Sequence, residues 1–579
     1  MDNFFSRFPA RRFCALLVLL LLAYRLPVGA QAPGWQSART IAQATYGSID
    51  DASFVSATAV DAAGNVFLAG SFKEQVVLGT DTLTSRGGYD VFVAKFSPAR
   101  NRVEWAQQAG GTLDDLASAL TVSGTSVYVT GYFRSTLANF GAISLTNIAP
   151  TNLYANHDVF VAKLTDAGSS GRFVWAQLAG GTRSDIPTSL AVSGPNVYVA
   201  GNTESPTADF GSTHLRNTNP AYVGGTFVAK LIDAGPTGSF AWAQLAGTGN
   251  YDVTTALAVS GANVYLAGSF SGLNAAFGPY TLNAPMYHDG FVAKLIDAGP
   301  TGSFAWVQQL GDASDEFAMA LAVNGPSVYV AGSFSGPMLT VGSTTLTSAG
   351  NQDVFVVKLT DAGAASSVAW AQQAGGTNRD VPSALAVSGT SVYVAGAFAS
   401  PTVPFGSTTL AKASGGSYYN LFVAQLADAG PSGRFAWAQQ AGGLGGAGAS
   451  ALAISGTTVY VAGGIDSGTV TFGSTTLFGP NISSLGFLAA VTDRTLAAIT
   501  TSRSLPPAQL FPNPASHTIT LRLPVGAVLA PLTLTNGLGQ TVRHYPAPVG
   551  LDATLDLQGL AAGFYLLRGV EPTQRLLVK

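Results

Sequence analysis

The sequence predicts an all-β protein, a seven-bladed β-propeller followed by a small Ig-like β-sandwich. Three observations carry this reading. The stretch FVAKLIDAGPTGSFAW occurs twice, letter for letter, beginning at Phe227 and again at Phe291. Each copy has different neighbours in space, so it marks a repeated structural unit, not a single reactive centre. Only 10% of the 579 residues are charged and 68 are Gly. Val, Thr, Tyr, Phe and Trp recur between Gly-rich turns, a composition that favours short strands over long helices. Near residue 509 the repeat gives way to a different strand pattern.

Taken in order, the chain opens with Arg7, Arg11 and Arg12, then the apolar run FCALLVLLLLAY, then small residues in VGAQA. This is the layout of an export signal, with Val28 and Ala30 placed for a cut before Gln31. The run is short for a membrane span, and no second apolar stretch of about 18 residues follows. The single cysteine, Cys14, lies within the signal. The mature chain is therefore expected to have no disulfide, no Cys nucleophile and no Cys metal site. Loss of residues 1–30 takes the formal net charge from −3 to about −6. With no basic cluster, that excludes nucleic acid as an expected partner.

The repeat then fills residues 31–494. A VYVAG-like segment begins at Val66, Val127, Val197, Val264, Val328, Val392 and Val459, and an FVAK-like segment at Phe92, Phe160, Phe227, Phe291, Phe355, Phe422 and Phe487. A WAQQAGG-like segment begins at Trp105, Trp175, Trp242, Trp306, Trp370 and Trp437, with Ile41 in the first place, and an ALAVSG-like run precedes each VYVAG. Turn chemistry such as VSGTS and DAGPTG separates the segments, so each repeat predicts a four-stranded antiparallel sheet. Sheets apolar on both faces must stack, and radial stacking gives a propeller. A β-helix is the alternative, but its coils are usually far shorter than ~65 residues. The last repeat is one strand short, and Ile41 to Tyr46 is expected to supply the missing outer strand and close the ring.

VDAAGNVFLAGSF and the recurring DVFVAKL and WAQQAGG segments resemble the SBBP-type bacterial β-propeller repeat, over roughly Ile41 to Asp493. The resemblance implies architecture but no particular activity. After a linker at 495–508, residues 509–579 show alternation at Ile519, Leu521 and Leu523, a hairpin at TNGLGQTV, and strands in GFYLLRG and RLLVK. FPNPAS, GLGQTV, LAAGFYLL and the closing RLLVK resemble the type A (Por-type) C-terminal sorting domain of the type IX secretion system. That resemblance implies a Bacteroidota-type bacterium, Sec export followed by outer-membrane translocation, the secretion machinery as partner, and usually removal of the tail with release or surface attachment.

An acidic position recurs ten residues into each repeat: Asp51, Asp115, Asp185, Asp252, Glu316 and Asp380, broken at Ala447. In antiparallel sheets these acids fall on one loop face, together with His157 and His288. A carboxylate ring offers oxygens to Ca²⁺ or to a cationic ligand. The competing reading is structural, with each carboxylate accepting N–H bonds from a tight Gly-rich turn. Two histidines a whole blade apart share a metal only near the axis, so loop histidines are the simpler reading. The in-phase tryptophans predict blade-to-blade packing and not sugar stacking, while Trp35 falls outside their series. Lys95, Lys163, Lys230, Lys294 and Lys358 alternate on a strand and are expected to extend to solvent. FGSTTL, at Phe405 and Phe472, is expected to add a short hairpin.

No GxSxG, HExxH, GxxxxGK[ST] or EF-hand loop occurs, and no blade departs strongly from the pattern. The expected function is thus a secreted or cell-surface binding or adhesion module, non-enzymatic and without a cofactor, with an extracellular polysaccharide or surface protein as ligand. The alternatives are an extracellular hydrolase or lyase using loop carboxylates, and a structural adhesin or matrix protein without a small ligand.

Overall fold

A computed structural model describes residues 33–579 apart from 42, 45–51, 150–155, 218–224, 248–249, 312–313, 413–418, 480–483, 494–507, 524–530, 537–539, 549, 551 and 570–573. The export signal, most of the linker and Asp51 lie outside the described residues. Contacts divide the chain into two compact bodies, Met1–Leu496 and Ala497–Lys579. Every regular element described is a β-strand, so the protein is all-β. No helix among the described residues is long and apolar enough to cross a membrane.

In the first body, four-stranded antiparallel sheets begin at Ala52, Asp115, Asp185, Asn250, Glu316, Asp380 and Ala447. The second sheet shows the common plan: Asp115–Ser123, Ser126–Phe133, Asp158–Asp166 and Gly171–Gly181, paired in that order. The two middle strands are buried on both faces, as their continuous apolar runs require. Gly131, in the second strand, permits a close approach: a Cβ there would stand 2.0 Å from Leu116 O and 2.8 Å from the Phe160 ring. At the same place the first strand carries a bulge. The first strands of successive sheets pack side by side, and Ala447–Ser455 returns against Ala52–Val60. The arrangement is a closed, propeller-like ring.

Closure differs from the expectation in register. The outer strand of the last sheet is Trp35–Thr40, not Ile41 to Tyr46, and it pairs antiparallel with Leu485–Thr492 from Trp35↔Val491 to Thr40↔Phe487. Trp35 takes the place held elsewhere by the residue two before the repeat tryptophan: Trp35 pairs Val491 as Phe435 pairs Leu426. Its ring meets Phe472 edge-on at 5.1 Å, as Phe435 meets Phe405 at 5.2 Å. Trp35 thus stays outside the tryptophan series and stands in the aromatic place two residues before it. The position of the repeat tryptophan itself falls to Ser37, opposite Ala490. An aromatic anchor two residues early displaced the alignment.

The expected hairpins are present and do more than decorate loops. Leu137–Phe140, paired with Ile143–Thr146, also pairs with the outer strand of the preceding sheet, Asn139↔Gly110 and Phe140↔Ala109. Thr207–Phe210 and Gly468–Phe472 repeat the arrangement. Each covers part of an exposed edge while tying one sheet to the next. At the seam, Gln75–Leu78 pairs with Gln43–Ala44, which directly follows the closing strand. The fourth sheet departs from this plan, its hairpin running continuously out of the strands Asn263–Phe277 and Tyr280–Asp297.

In the second body, Gln509–Phe511, Thr518–Arg522 and Asp552–Asp556 form one sheet. Leu532–Asn536, Thr541–Tyr545, Gly563–Arg568 and Gln574–Val578 form the other. The predicted alternation is met, with Ile519, Leu521 and Leu523 buried beside Leu534, Leu567 and Leu576.

Candidate functional site

Two sets of polar side chains recur around the ring, and their environments separate them. The first set lies between sheets. Lys230 Nζ meets Asp297 Oδ2 of the next sheet at 2.6 Å and also donates to Gly299 O. The same carboxylate accepts from Tyr198 Oη at 2.6 Å, Trp242 Nε1 at 3.2 Å and Gly299 N at 3.0 Å. Lys163 with Asp233, Lys294 with Asp361 and Lys358 with Asp428 repeat this network. Lys95 pairs with Asp166 beside Phe67, which stands where the others have Tyr. The lysines are 3–7% exposed, which corrects the expectation that they extend to solvent. Alternation placed them on the outward face of a strand, but the next sheet covers that face and supplies a carboxylate. The tryptophans do bridge sheets, through both ring packing and the indole N–H: a Cβ on Gly171 of the second sheet would stand 2.6 Å from the ring of Trp105.

The network fades toward the seam. Gln425 replaces Lys, leaving Tyr393 and Trp437 on Asp493. Between the last and first sheets the equivalent positions are Ser37, Tyr460, Ala490 and Pro98. Arg39 serves instead, donating to the Asn101 side chain and lying 4.6 Å over the Phe96 ring.

The second set holds the acids singled out from the sequence. Asp115, Asp185 and Asp380 open first strands and are wholly buried. Asp115 accepts from Gly111 N at 2.6 Å, Ser135 Oγ at 2.7 Å, Arg134 N and Ser135 N. Asp380 repeats the pattern with Gly376 N, Ser400 Oγ, Ala399 N and Ser400 N. Asp185 accepts from Ser205 Oγ at 2.7 Å. Asp252 and Glu316 are equally buried. In the first sheet the aligned position is Ser53, whose N–H donates to Ser484 O as that of Asp115 does to Tyr89 O. Asp115 and Asp380 are thus enclosed by donors of their own loops. Among the described residues, no group of three or more His, Cys, Asp and Glu side chains is placed to hold a metal ion.

Burial pushes the Asp115 and Asp185 carboxyls up to about 6 against the lowering effect of their hydroxyl and N–H donors. A companion set went unremarked in the sequence: Asp90, Asp158, Asp289 and Asp353, each two residues before the aligned Phe. The recurring Asp before VF and GF was its visible signal.

Above these acids lies the mouth of the ring. Tyr89, His157, His288, Gln352, Tyr419 and Ser484 occupy one equivalent position, three residues before the aligned Phe of their sheets. Tyr89 packs on Phe54 at 5.9 Å, and His157 meets Tyr132 edge-on at 4.8 Å while its Nδ1 lies 2.9 Å from Ser184 Oγ. Burial lowers the His157 pKa, favouring the neutral ring. His288 is half-exposed, with Nδ1 3.2 Å from Asp315 Oδ1 and its ring 5.5 Å from Phe317. The two histidines engage different partners in different sheets. The last sheet contributes Ser484 beside the glycines Gly445, Gly446, Gly448 and Gly464. It is the departure from pattern that GGLGGAG carries in the sequence.

Residues 509–578 match the family described as "Secretion system C-terminal sorting domain". The chain therefore ends in a type IX sorting domain and is exported by type IX secretion to the cell surface or extracellular space. No curated protein matches the chain. Among solved structures it is similar to a putative 6-phosphogluconolactonase from Bacteroides fragilis, at 10% identity over 76% of this chain and 98% of that one, TM-score 0.38. It is also similar to the endosialidase of phage phi92, at 10% identity over 91% and 76%, TM-score 0.37. Drosophila Semaphorin 1b, extracellular domains 1-2, is similar at 8% identity over 80% and 87%, TM-score 0.34.

Proposed function

We propose that residues 31–494 form a seven-bladed β-propeller that serves as a non-enzymatic binding or adhesion module, delivered to the exterior by an Ig-like sorting domain at 509–579. One observation carries the reading. Positions that join the sheets repeat around the ring, whereas positions at the mouth differ from sheet to sheet. A scaffold that repeats while its rim varies is the expected division between support and recognition. Tyr89, His157, His288 and Tyr419 supply apolar faces with polar edges, suited to the flat faces and hydroxyls of an extracellular polysaccharide. The described recurring acids are buried, which counts against their use as hydrolytic carboxylates.

The test is a glycan-array screen of purified Gln31–Asp493 with Ca²⁺ and with EDTA. Reproducible binding that is lost in Tyr89→Ala and Tyr419→Ala supports the reading. Loss of binding in EDTA would assign a Ca²⁺ role to the acids. A blank array under both conditions would overturn the glycan reading in favour of a protein ligand or a structural adhesin.

A further inference from the structure

The buried carboxyls form pairs across successive sheets. Asp90, Asp158 and Asp353 open third strands and are at most 1% exposed; each lies beside the acid that opens the next sheet, Asp115, Asp185 or Asp380. A Cβ built on Gly110 would stand 2.4 Å from Asp90 Oδ1 and 3.0 Å from Asp115 Oδ2. On Gly180 the corresponding distances are 2.4 Å to Asp158 Oδ1 and 3.2 Å to Asp185 Oδ2. The members are unequal. Asp115 and Asp380 take donors on both oxygens, whereas Asp185 accepts from Ser205 Oγ on Oδ2 and its Oδ1 is buried without a partner. Asp90, Asp158 and Asp353 accept on Oδ2 alone, from Arg86 N and Gln108 Nε2, from Ile148 N, and from Ala349 N. Their Oδ1 atoms are buried without a hydrogen-bond partner.

An ionised oxygen buried without a donor is costly, and a second carboxylate beside it adds repulsion. A proton on that oxygen removes both costs and makes it a donor. We infer that each pair, Asp90 with Asp115, Asp158 with Asp185 and Asp353 with Asp380, holds one proton on the unpartnered Oδ1, so that the cohesion of three sheet interfaces depends on protonation.

The repeat itself supports this. Gly225, which has no side chain to ionise, stands at the first position beside Asp252. Where the second acid is missing, at Ala447, the first position is the buried amide Asn420 and not a lone carboxylate. Other charged groups nearby are engaged elsewhere: Arg86 on Gly110 O, Arg134 with Asp114, His157 with Ser184 and Arg379 with Gln352. A Ca²⁺ ion would need six or more oxygens, and here N–H and hydroxyl donors already occupy both oxygens of Asp115 and Asp380 and Oδ2 of Asp185. Burial pushes Asp90 up to about 6 and Asp158 up to about 7, and raises Asp353. A raised acid contributes stability that is complete below its unfolded pKa near 4 and is lost as pH rises through about 6 to 7.

The test compares the full chain with the triple variant Asp90→Asn, Asp158→Asn, Asp353→Asn, whose amides imitate the protonated acids. In urea, the wild-type unfolding constant should rise roughly tenfold or more per pair between pH 5 and pH 8, and the triple variant should lose most of that rise. At pH 6 the infrared carbonyl band of a protonated buried acid should be present in wild type and missing in the variant. Asp158→Asn alone should remove about a third of each signal if the triple variant fails to fold. A flat wild-type profile without the band overturns the inference. So does stabilisation by Ca²⁺ at pH 8 that the variant lacks, which would assign a cation instead.

Discussion

Asp297 gathers four donors from two sheets, and this makes each inter-sheet lysine more than a surface charge. Burial alone raises its carboxyl, yet the Lys230 ammonium, the Tyr198 hydroxyl and the Gly299 and Trp242 N–H groups outweigh that and hold it below the usual range. Lys230→Met should therefore cost about 3 kcal/mol in urea unfolding, because it leaves a buried carboxylate without its counter-charge. The same substitution at Lys73, which is not on this register, should cost far less. The pH dependence has the opposite sign to that of the carboxyl pairs. A depressed Asp contributes stability present above its unfolded pKa near 4 and lost as pH falls below it. With the paired acids failing on the alkaline side, the ring should be most stable between about pH 4 and 6, measurable as the maximum of midpoint against pH. The sequence showed these lysines and aspartates at fixed spacing. It did not show that they meet, because their contact spans about 70 residues and depends on how one sheet lies on the next.

At the scale of the element, the closing strand Trp35–Thr40 is the instructive case. Trp35 donates to Gln440 O at 2.8 Å and fills against Phe472, so Trp35→Ala should cost about 3 kcal/mol. A chain beginning at Ile41 should go further, exposing Leu485–Thr492 as an edge and giving concentration-dependent association by size-exclusion chromatography. The repeated strands and hairpins were legible because turn glycines and apolar runs recur in phase. The closing strand was legible only in outline: its sequence, WQSART, keeps one aromatic and, of the WAQQAGG letters, only the alanine at Ala38 in register, so only pairing with Phe487 to Val491 locates it. The mouth was the least legible part, since its side chains share a position and little else.

For the whole molecule, the decisive signals lie at the two ends of the described chain. Removal of 509–578 should leave the protein inside the producing cell, read by immunoblot of cell and medium fractions. The ring tolerates variation at its mouth because its cohesion is borne by repeated contacts elsewhere. One exception is the seam between the last and first sheets, where Arg39 and Asn101 replace the Lys–Asp–Trp–Tyr network. The strands there are antiparallel neighbours, with Trp35 opposite Val491, so the chain enters and leaves the ring at the same end of one strand pair. Pulling the N-terminal end away from the tail would peel that pair open one hydrogen bond at a time. As a mechanical object the ring therefore has a weak direction of pull: drawn apart by the two ends of that strand pair, it unzips.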